Sequence, residues 1–318
     1  MPCTKYFTDE IAIGGKDAQR CIYLQKRLLM HKNIKTWTLL LLTLGFTWFS
    51  ACDKIRETKE TISSAEDFAN SESEFTAAFD VSDDLNSTDF KLRSSSAGIL
   101  PSGAVFTWID SSFSDGNGVV YEIDFGPLGT AAPFGRECND GKFRAGVFRF
   151  SLDKRYSEIG ATGILTIADS NNYYSGDGLV MTKLSGALSI TRTAVNKVTV
   201  EVRNGKAERN NKTWLFYGTR FIENTKPGGP GIIGDEFTIT GSGGGTNKDG
   251  VNYTWLVKED LIKNIEKGCA NTFVKGVLEI VNDNGGYISV DFDPKKDGAC
   301  DRLARATING KTFDFMVR

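Results

Sequence analysis

The chain has 318 residues, of which 25% are charged, and its formal net charge is only −2 at pH 7. This near-neutral balance, without a dense basic stripe, argues against nucleic-acid binding. The single histidine is His31, so histidine-based acid–base catalysis and the usual zinc and copper ligand sets cannot be built from the rest of the chain.

Residues 30–51 have the order of a bacterial secretory signal. A short basic segment leads into an apolar run that ends at Phe49, and small residues at 50 and 51 precede Cys52. The run is shorter than the roughly 20 residues of a membrane-spanning helix, which predicts a signal peptide. The small residues before Cys52 resemble a lipobox and predict lipidation of Cys52, which would anchor the protein firmly. The alternative is an ordinary signal peptide with a cysteine there by chance.

A polar segment, residues 1–29, precedes this signal, although signal peptides begin at the initiator methionine. We interpret residues 1–29 as an upstream extension from a misassigned start codon, with Met30 as the true start. Residues 52–318 would then form the mature chain, which is long enough for one large domain or two small ones.

Residues 52–97 are rich in Ser, Glu, Asp, Thr and Ala and contain no proline. Phe68, Phe75 and Phe79 are spaced so that they share one face of a helix. We therefore predict a tether followed by one amphipathic helix, roughly residues 63–85, laid against the main domain. Disorder throughout this stretch is the alternative.

From residue 98 to 318 the sequence consists of short apolar and β-branched runs separated by glycine and asparagine. Val198, Val200 and Val202 alternate with polar residues, which is the period of a strand with one buried face. Asn-Gly pairs such as Asn284-Gly285 favour tight hairpins. The pattern predicts a mainly β fold of about a dozen strands, either an antiparallel sandwich or a strongly curved open sheet.

Two stretches depart from this strand pattern. "VKEDLIKNIEKG", residues 257–268, has a helical pattern with a glycine placed to end it. "GSGGGTNKDG", residues 241–250, lacks the Lys-Ser/Thr ending of a phosphate-binding loop and is expected to be a flexible or tightly turning loop. Contact of this loop with a ligand is the alternative.

A phrase near the C-terminus, "NGGYISVDFDPKKDGACDR" from Asn284, is echoed by "NGVVYEIDFGPLGTAAPFGRECND" from Asn117. The two align without a gap from the Asn-Gly pair to the proline, which predicts an internal duplication of a hairpin. A two-residue turn at Asn284-Gly285 would bring Cys269 and Cys300 together at the far end of the hairpin. In an exported protein this predicts a Cys269–Cys300 disulfide. Cys138 is then left over, and it is an alternative partner for Cys300.

Carboxylates are the remaining candidates for catalytic or metal-binding residues. The twinned Asp124 and Asp291 would serve a glycosidase if their side chains met, but each is also placed to cap the turn after its strand. Asp291, Asp293 and Asp297 offer oxygen ligands for calcium, although their spacing matches no EF-hand loop. We predict no catalytic residue, no metal and no other cofactor.

Several aromatic residues are candidates for stacking on sugars or lining an apolar cleft. They are Tyr173, Tyr174, Trp214 and Trp255. Core packing and placement at strand edges are the competing interpretation.

Several phrases together resemble a group of uncharacterised β-rich lipoproteins of Bacteroidetes-type bacteria. They are "VVYEIDFG", "DGKFRAG", "ITGSGGGTNKDGVNYT", "KGCANTFVKGVLEI" and "DGACDRLARATINGKTF". The resemblance covers roughly residues 118–315 and carries no assigned activity. It implies an outer-membrane lipoprotein of a Gram-negative envelope that faces the periplasm or the cell surface.

The sequence thus favours an envelope-anchored lipoprotein with a non-catalytic binding or structural role. Its expected partners are the membrane, through the lipid, and a glycan, a lipid or another envelope protein. The alternatives are a carboxylate-dependent polysaccharide hydrolase and a lipid carrier. A deep cleft with two facing carboxylates would support the hydrolase, a large apolar concavity would support the carrier, and a filled core with capping aspartates would support the binding protein.

Overall fold

One antiparallel sheet of sixteen strands dominates the part of the chain that the structure describes. The structure is a computed structural model, and it describes residues 62–92, 97–229, 231–267, 269 and 272–317. These residues all belong to one compact unit, 56–318. The predicted upstream extension, the signal peptide and Cys52 lie outside the described residues.

Helix α1 spans residues 62–87 and precedes the sheet. A single turn of 3₁₀ helix, Asp169–Asn171, lies between β6 and β7. In chain order the strands are β1 (Val105–Asp110), β2 (Val119–Asp124), β3 (Arg136–Glu137), β4 (Phe143–Ala145), β5 (Val147–Leu152), β6 (Thr162–Ile167), β7 (Tyr173–Gly176), β8 (Met181–Ala194), β9 (Lys197–Arg209), β10 (Lys212–Lys226), β11 (Glu236–Thr246), β12 (Asn252–Asn264), β13 (Lys275–Asn282), β14 (Tyr287–Asp291), β15 (Leu303–Ile308) and β16 (Lys311–Met316).

The sheet follows the order β1-β2-β5-β6-β8-β9-β10-β11-β12-β13-β14-β15-β16. It forks at the long strand β8, whose first half pairs with β7 and whose second half pairs with β6. The short strands β4 and β3 extend the β7 branch. Strands β1 and β16 are the two ends of the main path, so the sheet is open, and the predicted mainly β fold with an open sheet is confirmed.

Helix α1 packs into the concave side of the sheet. Phe68 lies 5.1 Å from Trp255 between ring centroids, and Phe75 stacks on Phe216 at 5.8 Å. Phe79 is also buried, as expected for one apolar face. However, the other Ser, Asp and Glu residues of residues 63–86 are buried as well, except the partly exposed Glu66, so the helix has no continuous solvent-facing side there.

The helical pattern at residues 257–268 was misleading, because residues up to 264 belong to β12. The strand pairs with β11 on one side and β13 on the other. Its pairing with β13 shifts register around Glu259, and Glu259 and Asp260 are both exposed. These bulges break the strict alternation of a strand and leave apolar residues at a spacing that imitates a helix.

The glycine-rich stretch is also a strand rather than a loop as far as Thr246, because it forms the second half of β11. A Cβ atom on Gly243 would lie 2.2 Å from the carbonyl oxygen of Tyr217 and 2.8 Å from the Trp255 ring. A Cβ atom on Gly245 would lie 2.6 Å from the Tyr253 hydroxyl. Glycine is required here because aromatic side chains and the adjacent strand lie against the backbone.

Candidate functional site

The twinned aspartates both cap turns. Asp124 Oδ1 accepts a hydrogen bond from the Gly126 N–H at 2.7 Å, and Asp291 Oδ1 accepts one from the Asp293 N–H at 2.8 Å. Each aspartate ends a strand, so the two similar phrases use it in the same way. This geometry is the turn-capping role that competes with catalysis.

The acidic loop after Asp291 is folded by hydrogen bonds to its own backbone. Asp293 accepts from the N–H groups of Asp297 and Gly298, and Asp297 accepts from that of Ala299. Within the described ranges, no group of three or more His, Cys, Asp or Glu side chains is arranged to hold a metal ion. The calcium alternative therefore has no ligand cluster in this loop.

Cys269 and Cys300 lie at disulfide distance, with Cα atoms 5.0 Å apart. The register that suggested this pair was wrong by one residue. The Asn282 N–H donates to the Gly286 carbonyl, which leaves a three-residue turn rather than two. The cysteines still meet, because both lie beyond the ends of the paired strands β13 and β14.

Cys138 is a free cysteine and is buried. Burial raises the pKa of its thiol to about 11. Since the thiolate is the reactive form of cysteine, this thiol is poorly reactive at neutral pH. The alternative pairing of Cys138 with Cys300 is not the one that the structure contains.

Three of the four candidate sugar-stacking aromatics belong to the core. Tyr173, Trp214 and Trp255 are at most 3% exposed. The Trp214 indole N–H donates to Ser71 of helix α1 at 2.7 Å. Tyr174 is half-buried on β7. Trp214 and Trp255 contact the helix, and none of the three core rings offers an open platform.

The helix and the sheet are joined by buried ion pairs that we call the ionic seam. It consists of Glu72–Arg220, Glu74–Lys142 and Asp80–Lys263. All six side chains are at most 3% exposed. Charges removed from water in this way are tolerated only when they are paired, so the seam explains how a helix so rich in acidic residues can be buried.

A fourth buried pair, Asp140–Arg144, supports the seam from the sheet side. Arg144 donates two hydrogen bonds to Asp140, at 2.9 and 2.7 Å, and one to the Ala77 carbonyl of the helix. Burial is the largest single influence and raises the pKa of Asp140, but the charge and hydrogen bonds of Arg144 together with those of Lys142 outweigh it and hold the pKa below its ordinary value. The Asp140 carboxylate is therefore held in a structural ion pair with Arg144.

A cavity of about 370 Å³ opens at the C-terminal end of helix α1, between the helix and strands β8 to β11. We call it the helix-end cavity. Its polar lining includes Asp83, Arg192, Asn196, Asn224 and Asp235. Its apolar lining includes Val198, Ile222 and Phe237. Sequence reasoning missed this site, because its residues come from three stretches that are far apart in the chain, 83–88, 192–198 and 222–237.

Asp83 and Arg192 meet around Tyr156. The Tyr156 hydroxyl donates to Asp83 Oδ1 at 2.6 Å, and the Arg192 guanidinium lies over the Tyr156 ring at 4.3 Å from its centroid. Burial raises the pKa of Asp83 to about 6, against the opposite effects of Tyr156 and Arg192. Asp83 therefore changes its charge close to neutral pH.

The neighbouring carboxylates have their oxygens occupied. Asp84 accepts hydrogen bonds from the N–H groups of Ile99 and Ile232. Asp235 accepts from the Gly228 N–H on one oxygen and from the Asn224 amide on the other. Asp83 is thus the cavity carboxylate with an oxygen left for another molecule.

Comparison of the chain with known family models, curated proteins and solved structures gave no match. No helix in the described part of the chain combines the length and apolarity needed to cross a bilayer.

Proposed function

We propose that this protein is an envelope-anchored lipoprotein whose β-rich domain has a non-catalytic binding or structural role. The observation that carries the proposal is the filled interior of the sheet. Helix α1 occupies the concave side, and its carboxylates are held by the ionic seam. The helix-end cavity remains as a recess for a ligand.

The filled interior does not favour the lipid-carrier alternative. A lipid carrier needs an apolar cavity large enough to bury most of an acyl chain. Here the inward-facing apolar side chains, such as Phe216 and Trp255, contact the helix instead. The helix-end cavity has carboxylate, guanidinium and amide groups in its lining, so it suits a polar ligand better than an acyl chain.

The carboxylates do not favour the hydrolase alternative. A glycosidase needs one carboxylic acid and a second carboxylate on either side of the scissile bond. Asp124 and Asp291 cap turns, and both oxygens of Asp235 accept hydrogen bonds from the protein. Asp83 is left without a second open carboxylate in the cavity.

The anchor and the location rest on the sequence. Cys52 follows a signal-like segment, and the resemblance to envelope lipoproteins supports an outer-membrane protein that faces the periplasm or the cell surface. Nine residues separate Cys52 from Ile62, the first residue that the structure describes, and nine residues span at most roughly 35 Å. A lipid on Cys52 would thus keep the domain near the bilayer, where a glycan, a lipid or an envelope protein is available as a partner.

Metabolic labelling with an alkyne-tagged palmitate tests the anchor. We expect the full-length protein, expressed in a Gram-negative host, to carry the label and to sediment with the membrane fraction. Cys52→Ala and globomycin treatment should each prevent processing, and Cys52→Ala should remove the label. Cys138→Ala is the matched control and should keep it. Membrane retention of unlabelled Cys52→Ala protein would overturn the proposed anchor.

An assay for new reducing ends tests the non-catalytic role. We expect no release when the purified protein is incubated with peptidoglycan, starch or xylan. Release that Asp83→Asn abolishes, or that the double variant Asp124→Asn, Asp291→Asn abolishes, would instead establish the hydrolase.

A further inference from the structure

We propose that the helix-end cavity binds a sugar residue of a glycan, held between Asp83 and Arg192. This inference rests on the proposed binding role and adds to it a site and a class of ligand. The cavity volume of about 370 Å³ lies within the range of about 300–1,000 Å³ of small-molecule sites.

The site presents hydrogen-bonding groups that the protein leaves open. Asp83 is 7% exposed, and its Oδ1 is taken by Tyr156, whereas its Oδ2 accepts no hydrogen bond from the described residues. Arg192 is 9% exposed, and its Nη1 donates to the Val195 carbonyl. Its Nη2 makes no hydrogen bond within the described part of the chain, and its Nε is buried without a partner.

Asn224 adds an acceptor to this set. Its side-chain nitrogen donates to Asp235, while its Oδ1 is buried and has no hydrogen-bond partner. Polar groups in this state are uncommon in folded proteins and each costs free energy. Small adjustments of these side chains on binding would let a ligand satisfy them, which makes the cavity a built site rather than a chance hollow.

The arrangement of charge favours a neutral ligand. Asp83 and Arg192 carry opposite charges and flank the same Tyr156 ring, so each charge partly compensates the other. An anion would meet the carboxylates of Asp83 and Asp235, and a cation would meet the guanidinium.

A sugar hydroxyl suits this pair because it both donates and accepts hydrogen bonds. One hydroxyl can donate to the Asp83 carboxylate and its neighbour can accept from the Arg192 guanidinium. The apolar side of the cavity, formed by Val198, Ile222 and Phe237, can cover the C–H face of the ring. Polyhydroxyl compounds combine both surfaces in one small molecule.

Isothermal titration of the detergent-solubilised full-length protein tests the inference. The probes are glucose, galactose, mannose and N-acetylglucosamine, with glycine as a zwitterion and inorganic phosphate as an anion. We expect at least one sugar to bind with a Kd of roughly 1 mM or lower, and glycine and phosphate not to bind.

Two cavity variants and two matched controls locate the site. Asp83→Asn and Arg192→Lys should each weaken sugar binding by about tenfold, because each loses a charge-assisted hydrogen bond. Glu201→Gln and Arg203→Lys alter an exposed ion pair on strand β9 and should leave the affinity unchanged. Thermal melts of the same samples show whether each variant is folded.

The remaining outcomes overturn the inference. Binding of no sugar, binding of glycine or phosphate in place of a sugar, or unchanged affinity in folded Asp83→Asn would each exclude this site for a sugar. None of these outcomes affects palmitate labelling or the reducing-end assay, so failure of the sugar site is distinguishable from failure of the proposed function.

Discussion

Helix α1 meets two different environments along its length. At Glu72, Glu74 and Asp80, the sheet supplies an arginine or a lysine for each carboxylate. One turn later, at Asp83, the partner is a tyrosine hydroxyl, and the side chain faces a cavity. The same kind of residue, buried to a similar extent, is therefore used in two ways.

The difference shows that burial alone does not identify a structural carboxylate. In the ionic seam every cation has a matching anion, so no charge of the seam is buried without a partner. At the helix end the carboxylate is left under-compensated, and burial raises the pKa of Asp83 to about 6. Perturbed groups beside a cavity are candidates for function.

The largest effect should come from breaking the ionic seam. Arg220→Met keeps most of the side-chain volume but leaves Glu72 buried and unpaired. We expect a loss of about 3–5 kcal/mol in the free energy of unfolding, measured by urea denaturation at pH 7. Adding Glu72→Gln to this variant should recover most of the loss, because no uncompensated charge remains.

Arg203→Met is the control for this experiment. Arg203 lies on the neighbouring strand and pairs with Glu201, and both side chains are exposed to solvent. An exposed pair contributes less than about 1 kcal/mol. Equal destabilisation by Arg220→Met and Arg203→Met would contradict a special role for the seam.

The second effect has the opposite sign, because Asp83→Asn should stabilise the protein at neutral pH. The pKa of Asp83 in the folded protein is about 6, above the usual aspartate value of 3.8. The stabilising contribution of protonated Asp83 to the free energy of unfolding is therefore fully present below about pH 4. It is lost as the pH rises through about 6. Asparagine mimics the protonated form, so the gain at pH 7 should reach about 3 kcal/mol.

Urea denaturation of both proteins between pH 4 and 7.5 measures this effect. We expect the two free energies of unfolding to agree near pH 4 and to diverge as the pH rises, with the wild-type protein the less stable. Because the other buried carboxylates are present in both proteins, the difference isolates Asp83. A constant difference across the range would show that Asp83 does not titrate near neutral pH.

The β fold could be predicted from the sequence because alternation and Asn-Gly turns are local signals. The alternation at Val198, Val200 and Val202 lies in β9, and the Cys269–Cys300 pair depends only on a nearby hairpin. The prediction failed where a local pattern had a non-local cause. The glycines of β11 follow from aromatic rings on adjacent strands, which no short stretch of sequence reveals.

The sequence contains a pattern from which the ionic seam could have been predicted. In β10, Trp214, Phe216, Arg220 and Ile222 all fall on the inward-facing period of the strand. A basic residue at such a position needs a buried anion, and the acidic segment before the sheet is the obvious source. No comparable sequence pattern predicts the helix-end cavity, because Asp83, Arg192 and Asn224 become neighbours only in the folded protein.

The smallest of the three effects should come from Tyr156→Phe, which tests whether the two environments of the helix are independent. The change removes the hydrogen bond to Asp83 but keeps the ring that lies under Arg192. We expect a loss of about 1 kcal/mol in the free energy of unfolding at pH 7. We also expect a pKa of Asp83 above its wild-type value, because that hydrogen bond favours the charged carboxylate.

A carboxyl-detected NMR titration measures the pKa of Asp83. The destabilisation by Tyr156→Phe combined with Asp83→Asn should be smaller than the sum of the single effects. Combination with Arg220→Met should be additive, because the seam and the helix end share no partner; strong coupling there would mean that the helix responds as one electrostatic unit.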